Sequence, residues 1–399
     1  MNTKKILVPV FAFGLFAAVL FAEPMVSPSW GFRIDLPEEY RYVSGDGKDK
    51  FSFRSPAGAN FELAVYPPGK RSANPMPQAL AADIQKRLRN SGEISNFEYR
   101  NRKAVLLELD FPAPQAAGNK GDPPRFSGWG LCLELETRGN GTPLLLALAY
   151  GEAGKAELQT LHISALDSIA AMEGDRYAPG PMTEYAYPRG KRIRISPAGL
   201  DLEAFVYEHD QEGAQALVDR EFEVLKRAAG STDPQDSPQW KSAWARFYRT
   251  IYRDSFSRLR EIAFALERHW SVSNAAPGAG SWDLAGKALA WVQNFSYERN
   301  LPGSDFVNLV SAAIEGRGDC DSRSMLWAIV LEQANIPAAL MVSADYGHAM
   351  GLIDIPGPGA RFEWDGTRWL VAETTAAVNL GRIEQKMSDP TYWLGVIFQ

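Results

Sequence analysis

Thiols and imidazoles are scarce in this 399-residue sequence: it has two cysteines, Cys132 and Cys320, and four histidines, His162, His209, His269 and His348. Two cysteines exclude a disulfide scaffold, a cysteine-rich zinc site and an iron–sulfur cluster. Basic charge is also short. Lys plus Arg is 42 against 48 for Asp plus Glu, a formal net charge of −6, so no basic field exists to collect nucleic-acid phosphates or anionic lipid. Beyond the first 22 residues no stretch is long and apolar throughout, and there is no internal repeat. What is present is the balance of a globular protein with real cores, 45% hydrophobic and 23% charged, with length for two or three domains.

The N-terminus reads as an address. Lys4 and Lys5 precede 17 uncharged residues, Ile6 to Ala22, and then Glu23-Pro24. That order predicts a secretory signal peptide over residues 1–22, cut near Ala22, and a periplasmic or secreted protein. The alternative is an uncleaved segment anchoring the chain, since about 20 apolar residues span a bilayer.

Residues 29–173 predict an α+β domain with an antiparallel sheet. Phe61, Leu63 and Val65 alternate with Glu62 and Ala64 as in a half-buried strand. Leu80, Ile84 and Leu88 recur with a helical rhythm that Gly92 is expected to stop, and Ala156–Met172 predicts a closing helix. The element order and the opening FRIDLPEEY resemble the PsbP-like fold of small extracytoplasmic domains. Residues 174–190, rich in Gly, Pro and Tyr, read as a linker, and 191–281 as a connecting region of strands and helices. Within it, 239–270 predicts one long helical stretch with an apolar stripe from Trp240 to Leu259 and with Arg246, Arg249, Arg253 and Arg260 on the surface. The stripe reads as core, or as a platform for cell-wall glycan or lipid.

The chemistry concentrates in 282–399. Gly316 and Gly318 lead to Cys320 at the start of a helix that is apolar on nearly every side and ends at Asn335-Ile336-Pro337. A helix N-terminus favours a thiolate and offers N–H groups to an oxyanion. Asp319 and Asp321 act against the thiolate, so a base is needed. His348 supplies one, at the start of a predicted strand shared with Met350 and Leu352. A hairpin about Asp365-Gly366 then returns through Trp369, Val371 and Glu373, which puts a carboxylate within reach of the imidazole if the two strands are neighbours. Cys132 among leucines reads as packing, as does His162; His209 reads as loop and His269 as a favourable charge at a helix C-terminus.

Gly318-Asp319-Cys320-Asp321, Asn335-Ile336-Pro337, Gly347-His348-Ala349 and Glu373-Thr374-Thr375 resemble, in order, the motifs of the transglutaminase-like superfamily over about a quarter of the chain. The resemblance implies a papain-like α+β core in which Cys320 is the nucleophile, His348 the general base and acid, and Glu373 the orienting acid, at a position where the family more usually carries Asp. It implies attack on an amide carbonyl and a thioester resolved by water or an amine, with hydrolysis favoured. The expected protein is an extracytoplasmic peptidase, amidase or acyltransferase acting on protein, peptide or cell-wall peptide. No cofactor, metal or nucleic acid is expected, and membrane contact only through an uncleaved N-terminal segment. The alternative is a catalytically inactive binding or scaffolding protein of the cell envelope.

Overall fold

The computed structural model describes residues 24–68, 76–113, 122–137, 141–229, 237–271, 279–298 and 304–398; the expected leader, residues 1–22, lies outside them. The chain is a mixed α and β structure built on two large antiparallel sheets. Its first part runs β1 (Met25–Val26), β2 (Arg33–Ile34), β3 (Arg41–Gly45), β4 (Lys50–Arg54), β5 (Asn60–Tyr66), α1 (Pro77–Leu88), β6 (Ile94–Tyr99), β7 (Arg102–Pro112), β8 (Arg125–Glu134), β9 (Leu144–Glu152) and α2 (Gln159–Asp167).

Seven of these strands form one sheet in the order β3-β4-β5-β9-β8-β7-β6. Because successive side chains alternate between faces, the long strands feed two cores. Leu106, Leu131, Leu133 and Ala147 pack against α2, while Val105, Leu107, Cys132 and Leu146 pack against α1. The sheet is thus covered by helix on both faces. Arg100 and Asn101 join β6 to β7 with φ of 53° and 62°, the two-residue geometry that follows strand twist. The first helix stops before the expected Gly92. Arg89 adopts a left-handed φ of 55° and its N–H returns to Gln85 and Lys86, closing the helix at Leu88.

The segment expected as a linker carries structure of its own. A single helical turn at Glu173–Tyr177 leads to α3 (Pro181–Ala186), and Asp175, Met182 and Thr183 are buried. The reason is hydrogen bonding: Asp167 accepts from the N–H groups of Met182 and Thr183, and Asp175 from those of Ala171 and Met172.

The second part runs β10 (Arg192–Ile195), β11 (Ala204–Tyr207), α4 (Asp210–Ala229), α5 (Pro238–Arg258), α6 (Arg260–Trp270), α7 (Ala279–Gln293), β12 (Ser296–Tyr297), α8 (Leu309–Glu315), β13 (Arg317–Gly318), α9 (Cys320–Gln333), β14 (Ala338–Ser343), β15 (His348–Ile353), β16 (Arg361–Trp364), β17 (Thr367–Ala372) and β18 (Leu394–Val396). The expected single helix over 239–270 is two, parted at Leu259. Helix α9, buried from Ser322 to Leu331, lies under a five-stranded sheet in the order β16-β17-β15-β14-β18. Ala349, Ile353, Leu370 and Ala372 face the helical core, and Met350, Leu352, Trp369 and Val371 form a second, smaller core on the other face with Trp393. Gly351 is required beneath the helix, because a Cβ there would lie 2.5 Å from the Trp327 ring.

Three of the arginines expected on the surface join the two parts instead, and Arg260 alone of the four is exposed. Arg246 is 2% exposed and reaches Glu221 (2.8 Å), Ser164 Oγ (2.7 Å) and the carbonyl of Asp35 (2.8 Å). Arg249 holds both oxygens of Asp35 at 3.0 Å, and Arg253 donates to the carbonyls of Asp167, Ile169 and Asp175. A buried guanidinium needs such partners, and here all of them but Glu221 of α4 lie before β10 in the chain.

Candidate active site

Cys320 opens α9. Asp319 caps the helix by accepting the N–H of Ser322 at 2.8 Å, and it also accepts from the Ser322 hydroxyl. The turn before it is pinned by Arg323, whose Nε and Nη2 donate to the carbonyls of Gly318 (3.0 Å) and Phe295 (2.8 Å). Backbone pairing of Ser296–Tyr297 with Arg317–Gly318 fixes the same turn from the other side.

The thiol is 5% exposed and donates to Asp321 Oδ1 at 3.4 Å, rather than to His348. Asp321 in turn accepts at Oδ2 from the hydroxyl of Tyr248, 2.7 Å away on α5. Burial pushes the Cys320 thiol well above its ordinary pKa, and the charges of Asp321 and Asp319 push the same way. The backbone N–H of Ala349, turned toward the sulfur, acts in the opposite sense. Asp319 is raised by burial and by Asp321, against its hydrogen bonds from Ser322, and Tyr248 is raised by burial and by Asp321.

His348 and Glu373 come together. His348 begins β15, Glu373 follows the last residue of the neighbouring β17, and Nε2 lies 2.8 Å from Oε2. The other carboxylate oxygen accepts the N–H and the hydroxyl of Thr375, both at 2.6 Å. Gln293 on α7 holds the Glu373 carbonyl at 2.8 Å. Burial alone raises the Glu373 carboxyl, but the bonds from His348 and Thr375 outweigh it and the net shift is downward. An ionised carboxylate at Nε2 favours the proton on that nitrogen, which leaves Nδ1 as the basic atom of the ring. The imidazole stands edge-on to Trp393 at 6.5 Å between centroids.

Cys320 and His348 approach the sheet rim from different sides. The helix packs on the face of Ala349, whose carbonyl accepts from Ser324 at 3.5 Å, while His348 belongs to the strand position that alternates with it. The sulfur and the imidazole are therefore linked through one peptide unit of β15.

The remaining thiol and imidazoles lie apart. Cys132 sits opposite Val105 and Leu146 in the first sheet, and burial alone pushes its pKa up to about 12. His162 is buried, neither ring nitrogen has a partner among the described residues, and burial lowers its pKa to about 4. His209 meets Glu212 at 3.2 Å, and His269 is exposed at the end of α6. Sequence pattern misses Tyr248 and Gln293, which come from distant helices with no local signal. Thr375 was readable as a short-range hydroxyl partner two residues after Glu373.

No family model matches the chain, and no curated protein matches it. Among solved structures, the chain is similar to a protein from Bacteroides thetaiotaomicron VPI-5482 at 10% identity, over 58% of this chain and 78% of that one, with a TM-score of 0.24. It is similar to LpqN of Mycobacterium tuberculosis, described as involved in cell envelope biogenesis, at 10% identity over 38% of this chain and 90% of that one, TM-score 0.27. It is also similar to cyanobacterial PsbP from Synechocystis sp. PCC 6803, at 11% identity over 40% of this chain and 98% of that one, TM-score 0.27. Among the described residues no helix is long and apolar enough to cross a membrane.

Proposed function

We propose that the chain is an extracytoplasmic, thiol-dependent amide hydrolase or acyltransferase with a transglutaminase-like core and a Cys320-His348-Glu373 triad, preceded by a noncatalytic PsbP-like module. The observation that carries this reading is the 2.8 Å bond between His348 Nε2 and Glu373 Oε2, in the strand whose next residue faces the sulfur. For the imidazole to take its proton, the thiol must leave Asp321 and reach Nδ1 past the peptide unit of β15 that lies between them. The sulfur then attacks the amide carbonyl, the imidazolium protonates the leaving nitrogen as the C–N bond breaks, and a thioester remains. Water or an amine gives its proton to Nδ1 as it attacks the thioester carbonyl; the C–S bond breaks, the acid or new amide leaves, and the imidazolium returns the proton to the sulfur. Glu373, held by Thr375, stabilises the imidazolium throughout. The substrate is a protein, peptide or cell-wall peptide outside the cytoplasm.

The test is iodoacetamide alkylation against pH, with Cys132 as internal comparator and His348→Ala as variant. Cys320 is expected to react well below pH 8 and to lose that reactivity in the variant. A Cys320 that reacts as an ordinary thiol, or identically in both proteins, overturns the triad. That outcome favours a second reading, an inactive scaffold on the same fold, which the bond from the thiol to Asp321 supports.

A further inference from the structure

At the seam between the first sheet unit and α5 lies a cavity of about 50 Å³ lined by four arginines: Arg33 of β2, Arg176 of the turn before α3, and Arg249 and Arg253 of α5. A water needs about 10–15 Å³, so the space holds a few waters or one ion of phosphate size.

The carboxylates around it are already engaged. Both oxygens of Asp35 bind Arg249 at 3.0 Å, and Glu173 pairs with Arg176 at 2.9 Å. Asp167 and Asp175 offer Arg253 only their carbonyls, since their carboxylates hold Arg220 and Arg102, each at 2.5 Å. Arg253 therefore brings charge to the cavity while its N–H groups are spent on carbonyls.

Arg33 is the opposite case. Its backbone pairs with Ala170, but among the described residues its guanidinium has no hydrogen-bond acceptor. Burial lowers its pKa; Asp35 acts against this, and Arg176, Arg249 and Arg253 add to it. Four guanidinium groups and the Asp35 carboxylate thus line the cavity, and Glu173, 70% exposed, meets Arg176 from outside; with both carboxylates counted, two positive charges remain in excess. Such an excess is costly unless a counter-ion joins it.

We propose that this cavity binds a phosphate-sized dianionic oxyanion, with Arg33 as its main hydrogen-bond donor and Arg253 as charge. Inorganic phosphate is a mixture of monoanion and dianion at pH 7, and the dianion matches the excess, whereas a carboxylate or chloride leaves half of it. Because the arginines come from both sides of the seam, the anion also fastens α5 to the first sheet unit. This site is independent of the triad.

The test is thermal unfolding and equilibrium dialysis of the full chain with inorganic phosphate at pH 7, ionic strength being matched with potassium chloride. A saturable rise in Tm of a few degrees is expected. Affinity should fall about tenfold or more in Arg33→Gln. Arg176→Gln, at the partly exposed rim, should fold normally and also weaken binding, which covers the event that Arg33→Gln does not fold. Binding unchanged in both variants, a Tm that follows ionic strength alone, or an equal effect from acetate overturns the assignment.

Discussion

The two buried thiols occupy contrasting regions. Cys132 lies inside the first sheet, where every neighbour is apolar and burial is the one influence on its pKa. Cys320 is buried to a similar degree at the rim of the second sheet, but Asp321, Asp319, Tyr248 and the Ala349 N–H surround it. Burial among apolar groups alone makes a thiol inert in a way no small change relieves. Burial among polar groups makes its state depend on which hydrogen bond it holds, and that can be altered by one side chain.

The largest effect is expected where the two regions meet. Arg246→Met removes the ion pair to Glu221 Oε2 at 2.8 Å and leaves that oxygen only the Ser164 hydroxyl at 2.9 Å, while Arg220 still contacts the other oxygen. A loss of about 3–5 kcal/mol is expected from urea unfolding. A loss under about 1 kcal/mol means the regions are held by something other than the arginine seam, and the contrast between them is then one of independent domains.

Next comes the thiol itself. Asp321→Asn removes the nearest charge opposing ionisation, so the alkylation profile of Cys320 against pH should move down by about one unit, a roughly tenfold gain in rate on its rising part. Cys132 should not change. Equal rates for Cys320 in the variant and the parent protein erase the contrast between apolar and polar burial.

The smallest effect concerns the acid. Glu373 has its folded pKa lowered, so its contribution to stability is present above the unfolded value of about 4.3 and is lost as pH falls through the lower folded value. Glu373→Gln should cost about 1 kcal/mol at pH 7. That cost should disappear near pH 3, as read from urea midpoints at the two pH values. A cost equal at both pH values means the side chain acts through packing rather than charge.

Much of the architecture was legible because periodicity reports burial. Phe61, Leu63 and Val65 alternate inward as their spacing predicts, and the turn at Asp365-Gly366 has φ of 48° and 73°. The turn written in the sequence pairs β16 with β17; that β17 rather than β16 lies beside β15, and so brings Glu373 to His348, is a tertiary choice the turn does not encode. The failures share a cause. Arg246 reads as surface because a lone arginine on a helix usually is, and its partners Glu221, Ser164 and Asp35 lie 25 to 211 residues away. The packed segment at 174–190 reads as a linker because Gly and Pro mark a loop whether or not its backbone is buried. The hydrogen bond from Cys320 to its own neighbour Asp321 is a matter of rotamer, which residue order does not encode.

Strand β15 carries the side chain of His348 and, one residue on, the N–H that faces the sulfur. For the proposed chemistry, the turn between β14 and β15, with Gly347 at φ 57°, is therefore a ruler. Ser343 pairs with His348 in a fixed register, and a slip of one residue would carry the imidazole to the face of Trp327 and bring Gly347 to its place. Replacing the histidine removes the proposed base; lengthening this turn by one residue keeps the imidazole and misaddresses it, together with the Ala349 N–H.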